Sequence, residues 1–233
     1  MSFPTVAATN TSIVGGGSTS HSVSLPSSIS SGDLLIVGFV DSIGTSCTTT
    51  FPTGWTAVGS KVDNGGNTGV RLGYRVADGT EGASITVVTS AATKSAHCSY
   101  RITGFDSGTA PEQGSGTTGS DATAELASYS PSWGSADTLW LEFGGDGDVG
   151  GPFTAGSTNY TDLLAINTTG TQSASNCCIG SARRNNTTAT ESPDAMTITA
   201  SFAWVSVLAA VRPTGGAATA VLGDNVMWGS HWI

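Results

Sequence analysis

Apolar and polar residues alternate in "SITVV" (84–88), "MTITA" (196–200) and "VRLGYRV" (70–76). A period of two is the mark of a strand with one buried face. Two runs, "DLLIVGF" (33–39) and "WVSVLAAV" (204–211), are apolar on both parities. That pattern suits inner strands covered on both sides. Between the runs lie stretches of turn chemistry: "DNGGNTG" (63–69), "VADGTEG" (76–82) and "RRNNTTATESPD" (183–194). No amphipathic helix of useful length interrupts them. The pattern predicts an all-β protein.

The pattern also repeats. "SGDLLIVGFVD" (31–41) matches "SADTLWLEFGGD" (135–146), and "PTGWTAV" (52–58) matches "GSTNYTDLL" (156–164), with Trp55 opposite Tyr160. "VRLGYRVADG" (70–79) matches "CCIGSARRNN" (177–186), and "GASITVVTS" (82–90) matches "PDAMTITAS" (193–201). "KSAHCSYRITG" (94–104) matches "AWVSVLAAVRP" (203–213), and upstream "SVSLP" (22–26) matches "ELASYSP" (125–131). The order is kept throughout, which points to an internal duplication with halves at 20–106 and 122–213. Each half holds about six strands, a thin basis for an independent core. Of two tandem sandwiches or one larger interleaved one, the second is favoured: a single jelly-roll-like β-sandwich spanning 20–213. Residues 108–121 become the crossover, and residues 1–19 a Gly/Ser/Thr-rich N-terminal arm able to reach a neighbour.

Composition narrows the function. Charged residues make up 11% of the chain and hydrophobic ones 38%, with 32 glycines. Disorder usually combines low hydrophobicity with many charges, so this is not a disordered composition. The net charge is −9, the lysines are Lys61 and Lys94, and Arg183–Arg184 forms a lone basic pair. A nucleic-acid partner or an anionic membrane surface would call for clustered Lys and Arg, so both are disfavoured. The first twenty residues have neither the basic nor the apolar region of a secretory signal. The apolar stretch 202–211 is too short to span a bilayer. A soluble chain made in a cytoplasm is expected. Of the four cysteines, Cys177 and Cys178 are adjacent, and in a strand they point to opposite faces. Buried free thiols are expected, without zinc spacing.

Little in the chain signals chemistry. "FGGDGDVGG" (143–151) sets Asp146 and Asp148 two apart, like half of a calcium loop. The repeat aligns Asp146 with Asp41, and a strand-ending Asp before Gly is ordinary turn chemistry. The turn is favoured over an ion site, which needs six to eight oxygens. His21, His97 and His231 lie in separate contexts, and nothing in the spacing of Glu112, Glu125 and Glu142 selects a catalytic pair. There is no nucleophile elbow, phosphate loop or dinucleotide fingerprint. The expectation is a protein that is not an enzyme, with no catalytic residues, no metal and no cofactor. Trp55, Trp133, Trp140 and Trp204 sit in or beside strands, where core packing is expected of them.

The C-terminal stretch differs. "VRPTGGAATA" (211–220) reads as an exit, followed by "VLGDNVMWGSHWI" (221–233). Leu222, Val226, Met227, Trp228, Trp232 and Ile233 make residues 214–233 an apolar docking tail. Tryptophan is a common anchor at interfaces. The tail either folds back on its own sandwich or binds another subunit.

The segments "GDLLIVGFVD", "PTGWTAV", "LGYRVADGTEGASITV", "YRITGFD", "PSWGSADTLWLEFGG" and "AVRPTG" resemble a family of β-rich structural proteins of tailed bacteriophages, described as virion, tail or fibre proteins. The resemblance covers most of 20–213 and carries over no catalytic residues. It implies a virion location after assembly in the host cytoplasm. The expected role is a capsid decoration or cement protein in contact with the major capsid protein or other virion subunits. A homo-oligomer such as a trimer suits such a module. The alternative is a tail- or fibre-associated receptor or glycan-binding module.

Overall fold

The structure is a computed structural model that describes residues 2–147, 152–168 and 176–215. Apart from one 3-10 turn at Gly44–Ser46, its regular elements are strands. They are β1 (Thr5–Ser24), β2 (Leu34–Asp41), β3 (Thr49–Thr50), β4 (Thr56–Asn64), β5 (Thr68–Val76) and β6 (Ser84–Thr103), then β7 (Glu112–Gln113), β8 (Thr117–Gly119) and β9 (Thr123–Ala124). The rest are β10 (Thr138–Asp146), β11 (Phe153–Ala155), β12 (Thr161–Asn167), β13 (Cys178–Asn186), β14 (Met196–Ile198) and β15 (Trp204–Val211). The chain is all-β, as its pattern predicts.

The first sheet runs β1-β6-β2-β5-β4 and the second β12-β13-β10-β15-β7, with every pairing antiparallel. They pack face to face, with β1 across from β12, β6 from β13, β2 from β10, β5 from β15 and β4 from β7. Leu34, Ile36 and Val40 of β2 meet Leu139, Leu141 and Phe143 of β10 in the central core. The opposite parity of β2, Leu35, Val37 and Phe39, enters a second cluster with Val23 and Val87. Both faces of β2 are therefore buried, as its two-parity apolar run requires. Full burial of one such side chain contributes about 1.5–3 kcal/mol.

Outer flaps supply the second cover. Register shifts between Val14 and Ser18 and between Ser18 and Ser20 bend the long β1–β6 pair, as bulges do. Beyond the bend, β3, the first part of β6 and the last part of β1 pair in that order. Over the second sheet the strands β11, β14 and β9 do the same. Phe153, Met196 and Ile198 there pack against Cys178 and Trp204 of the sheet below. The molecule has four layers: flap, sheet, sheet, flap.

The two halves share one strand order. β6-β2-β5-β4 recurs as β15-β10-β13-β12, and β3-β6-β1 recurs as β11-β14-β9. Five of the six sequence matches fall on equivalent strands, and Trp55 and Tyr160 each immediately precede one, β4 and β12. Because the two orders run in opposite senses across the sandwich, a pseudo-twofold axis passes between β2 and β10. The ends of the halves meet where Phe105 bridges Pro213, with Asp106 N donating to Arg212 O and Thr214 N to Gly104 O.

Two expectations are corrected. The halves do not interleave strand by strand as a jelly roll would; each lays down its own sheet and flap. A sheet apolar on both faces can do this, since one face meets the other half and one its own flap. Residues 1–19 are also not a detached arm. Residues 5–24 form β1, the edge strand of the first sheet, and the supposed crossover 108–121 supplies β7 and β8, which occupy the matching edge of the second. By shared strand order, one half spans about 5–106 and the other about 112–213.

Close approach of the sheets imposes one clear sequence demand. A Cβ on Gly38 of β2 would lie 2.6 Å from the fully buried Phe143 ring across the core. Gly38→Val is expected to lower stability by about 2 kcal/mol through overpacking, measured by urea unfolding at pH 7.

Candidate functional site

The sandwich has two lateral seams, related by the pseudo-twofold axis. At one, β4 faces β7 and β8, and Gln113 Nε2 donates to Ser60 O at 2.9 Å while Asn64 Nδ2 donates to Gly119 O at 2.8 Å. A cleft of about 670 Å³ lies along it. At the other, β1 faces β12 and β13. Here a cleft of about 610 Å³ adjoins one of about 420 Å³, and Val6, Asp162 and Arg183 line both. This second seam is the candidate site.

Its polar wall comes from the basic pair. Arg183 Nε and Nη2 both bond Asp162 Oδ2 at 2.7 Å, and Nη1 donates to Val6 O at 3.3 Å. One guanidinium thus clasps the edge strand of the first sheet to the second sheet. Asn159 and Asp162 hold φ of 68° and 56°, a left-handed conformation that Asn and Asp adopt more readily than most residues. Pro4, Val6 and Leu139 supply apolar floor in the larger cleft, and Ala8, Leu163 and Leu164 in the smaller. The groove is amphipathic and close to neutral.

Behind the wall lies a buried polar cluster. Arg184 Nη1 pairs with Glu191 Oε1 at 2.7 Å, and Asn186 Nδ2 donates to Glu191 Oε2 at 2.8 Å. The Tyr160 hydroxyl donates to Oε1 at 3.4 Å. Glu142, fully buried on β10, accepts the Ser157 N–H at Oε1, 3.0 Å away. Its Oε2 has no hydrogen-bond partner among the described residues. Burial pushes the Glu142 carboxyl up to about 7; the Ser157 hydrogen bond opposes this and the charge of Glu191 adds to it. Two neighbouring buried carboxyl groups resemble an acid–base pair in their arrangement. Both are sealed from solvent, however, with Glu191 1% exposed.

A second buried cluster lies under the first flap. Ser12 Oγ sits 2.9 Å from His97 Nδ1, His97 Nε2 is 2.7 Å from Ser95 Oγ, and Ser95 Oγ is 2.7 Å from His21 Nδ1. His21 Nε2 lies 2.9 Å from Thr89 Oγ1, which donates to Ala91 O. That last bond fixes the direction of the chain. Thr89 accepts from His21 Nε2–H, His21 Nδ1 accepts from Ser95, Ser95 accepts from His97 Nε2–H, and His97 Nδ1 accepts from Ser12. Both imidazoles are neutral in this arrangement, and Phe39 stacks on His97 at 4.9 Å. Burial holds His97 down to about 3, with His21 adding to the effect. Burial also lowers His21, against the pull of Asp41.

The residues singled out from sequence fall as follows. Leu222, Val226, Met227, Trp228, Trp232 and Ile233, with His231 and Asp148, lie outside the described residues. Asp41 performs the turn role expected of it: Oδ1 accepts from Ile43 N and Gly44 N, and Oδ2 pairs with Lys61 at 2.7 Å. Asp146 ends β10 at the matching place and is buried. The four cysteines form no disulfide and are buried. Trp140 and Trp204 are core residues, whereas Trp55 and Trp133 are half-buried against the outer clusters. Glu112 holds the Tyr129 hydroxyl and Ser132 N, each at 2.8 Å. Sequence reasoning named Glu142 without its neighbour Glu191, and treated His21 and His97 as unrelated. Among the described residues no group of three His, Cys, Asp or Glu side chains is placed to hold a metal. No family model matches the chain, and no curated protein or solved structure matches it either.

Proposed function

We propose that the chain is a structural protein of a phage virion, acting as a decoration or cement module on the capsid exterior. The observation that carries the reading is the four-layered sandwich: the central strands β2, β10 and β15 are buried on both faces, leaving edges, seams and a largely uncharged Ser/Thr/Gly exterior for contact. Such a body is stiff, and its contacts depend little on charge. The resemblance of 20–213 to tailed-phage structural proteins supports the same reading. The shared strand order of the halves supports a tandem duplication, which gives one chain two similar lateral seams. In this reading the partners are the major capsid protein or further copies of the chain, and no catalytic step is involved.

The test is abundance and sedimentation. Purified virions should contain this chain in numbers approaching the major shell protein. Recombinant full-length chain should pellet with empty shells near stoichiometrically. Absence from the particle overturns the reading. The hydrogen-bond-rich wall of Arg183, Arg184, Asp162 and Asn159 favours a second reading, a tail-associated glycan-binding module. In that case the chain is present in few copies, and its deletion lowers host adsorption.

A further inference from the structure

We infer that the β1–β12 seam groove is the seat of the chain's own C-terminal segment, residues 221–233. The inference is independent of the virion reading.

The first argument is position. The last described stretch leads to the groove: Thr214 N donates to Gly104 O at 3.1 Å. The Cβ position of Gly104 lies 3.8 Å from Phe3 O and 3.9 Å from Pro4 Cα. Pro4 and Thr5 are the next residues along, and they line the groove's larger cleft. The chain therefore leaves the sandwich beside the groove's end. An extended residue spans at most about 3.3–3.6 Å, so the stretch from Thr214 to Leu222 reaches up to roughly 26 Å. A segment tethered so near a site acts at an effective concentration on the order of millimolar.

The second argument is chemistry. Residues 221–233 carry Leu222, Val226, Met227, Trp228, Trp232 and Ile233 among polar neighbours. Each tryptophan has about 150–250 Å² to bury and an indole N–H to satisfy. The groove offers an apolar floor in Val6, Leu139 and Leu164, with Asp162 as acceptor at its rim. The Arg183 and Arg184 side chains are 30% and 28% exposed. A half-exposed guanidinium is a good stacking partner for indole.

The third argument is the edge itself. β1 pairs with β6 alone, so its outer backbone groups face the groove, where an extended segment can add as a further strand. On the first sheet's opposite edge, β4 is bonded to the β7–β8 segment through Gln113 and Asn64. The seam at β1 is crossed by the single Arg183–Val6 bond among the hydrogen bonds of the described residues.

Amide hydrogen exchange on the full-length chain tests the inference, comparing wild type with the double variant Trp228→Ser/Trp232→Ser. Both substitutions follow β15, the last strand, in sequence. The expected result is at least tenfold faster exchange at residues 5–9 and 161–165 in the variant, with flap residues 84–88 unchanged. In wild type the protection should not vary with protein concentration. Ala7→Glu, at an exposed position on the groove wall, should give the same rise at 161–165 while leaving the tail intact. Equal exchange in variant and wild type overturns the inference. Protection that fades on dilution also overturns it, because the segment is then seated on another copy.

Discussion

Glu142→Gln is expected to raise the unfolding free energy by about 3 kcal/mol at pH 8 and to leave it nearly unchanged at pH 4. The carboxyl is fully buried, and its Oε2 has no hydrogen-bond partner among the described residues. Burial lifts it from the ordinary 4.5 to about 7. Below pH 4.5 it is protonated in both the folded and the unfolded chain, and the fold is not penalised. As the pH rises the unfolded chain ionises first, so stability drains away until the folded carboxyl ionises near 7. Each pH unit between the two values is worth about 1.4 kcal/mol. Gln keeps the acceptor for Ser157 N–H without the charge. Urea unfolding at pH 4 and pH 8 measures the difference. A gain equal at both pH values would trace the effect to packing rather than to ionisation.

Such an expensive carboxylate was half legible in the sequence. Glu142 stands in the middle of "TLWLEFGG", a strand apolar on both parities, so its burial follows from the pattern. Its neighbour Glu191 does not: "TESPD" reads as a solvated turn, and its burial comes from Tyr129, which bridges to it from a distant loop. The same limit explains β1. The inner and outer parities of β2 are plain because Leu34 and Ile36 on one side and Leu35, Val37 and Phe39 on the other are all apolar. In "TVAATNTSIVGGGSTSHSVS" the strand is an edge, and serine and threonine serve where one side meets water. Local hydrophobicity therefore does not mark it, and its partner β6 lies some eighty residues away. The groove depends on that misread strand, so its walls could not be assembled from sequence, although Arg183–Arg184 was visible as an isolated basic pair. The strand order shared by the two halves was legible because matching strands preserve parity and order even where individual residues differ.

His97 works in the opposite direction to Glu142, and the two should conceal each other. His97→Gln is expected to become about 2 kcal/mol more stable on going from pH 7 to pH 5, whereas Glu142→Gln should lose about 2 kcal/mol over the same interval. In the folded chain His97 is held down to about 3, against 6.5 when unfolded. Above 6.5 the imidazole is neutral in both states. As the pH falls below 6.5 the unfolded chain takes up a proton that the folded chain refuses, and stability is lost until the folded ring charges near 3. Refusal has a geometric basis. His97 Nδ1 is already an acceptor from Ser12 and Nε2 already donates to Ser95, so a second ring proton meets a hydroxyl hydrogen inside a sealed cluster. Glutamine at 97 retains the donor toward Ser95 and cannot titrate. Losing the Phe39 stack lowers stability alike at every pH, so the slope isolates the proton. Wild type is expected to vary less between pH 5 and 7 than either variant, with a residual acid-side loss from His21, which burial also lowers. Urea unfolding of the three proteins at pH 5, 6 and 7 decides the matter. Parallel slopes would mean that neither buried group titrates as its surroundings dictate. Opposite slopes would show that the two halves carry countervailing proton penalties beneath their flaps, the first a histidine pair and the second the Glu142 carboxyl.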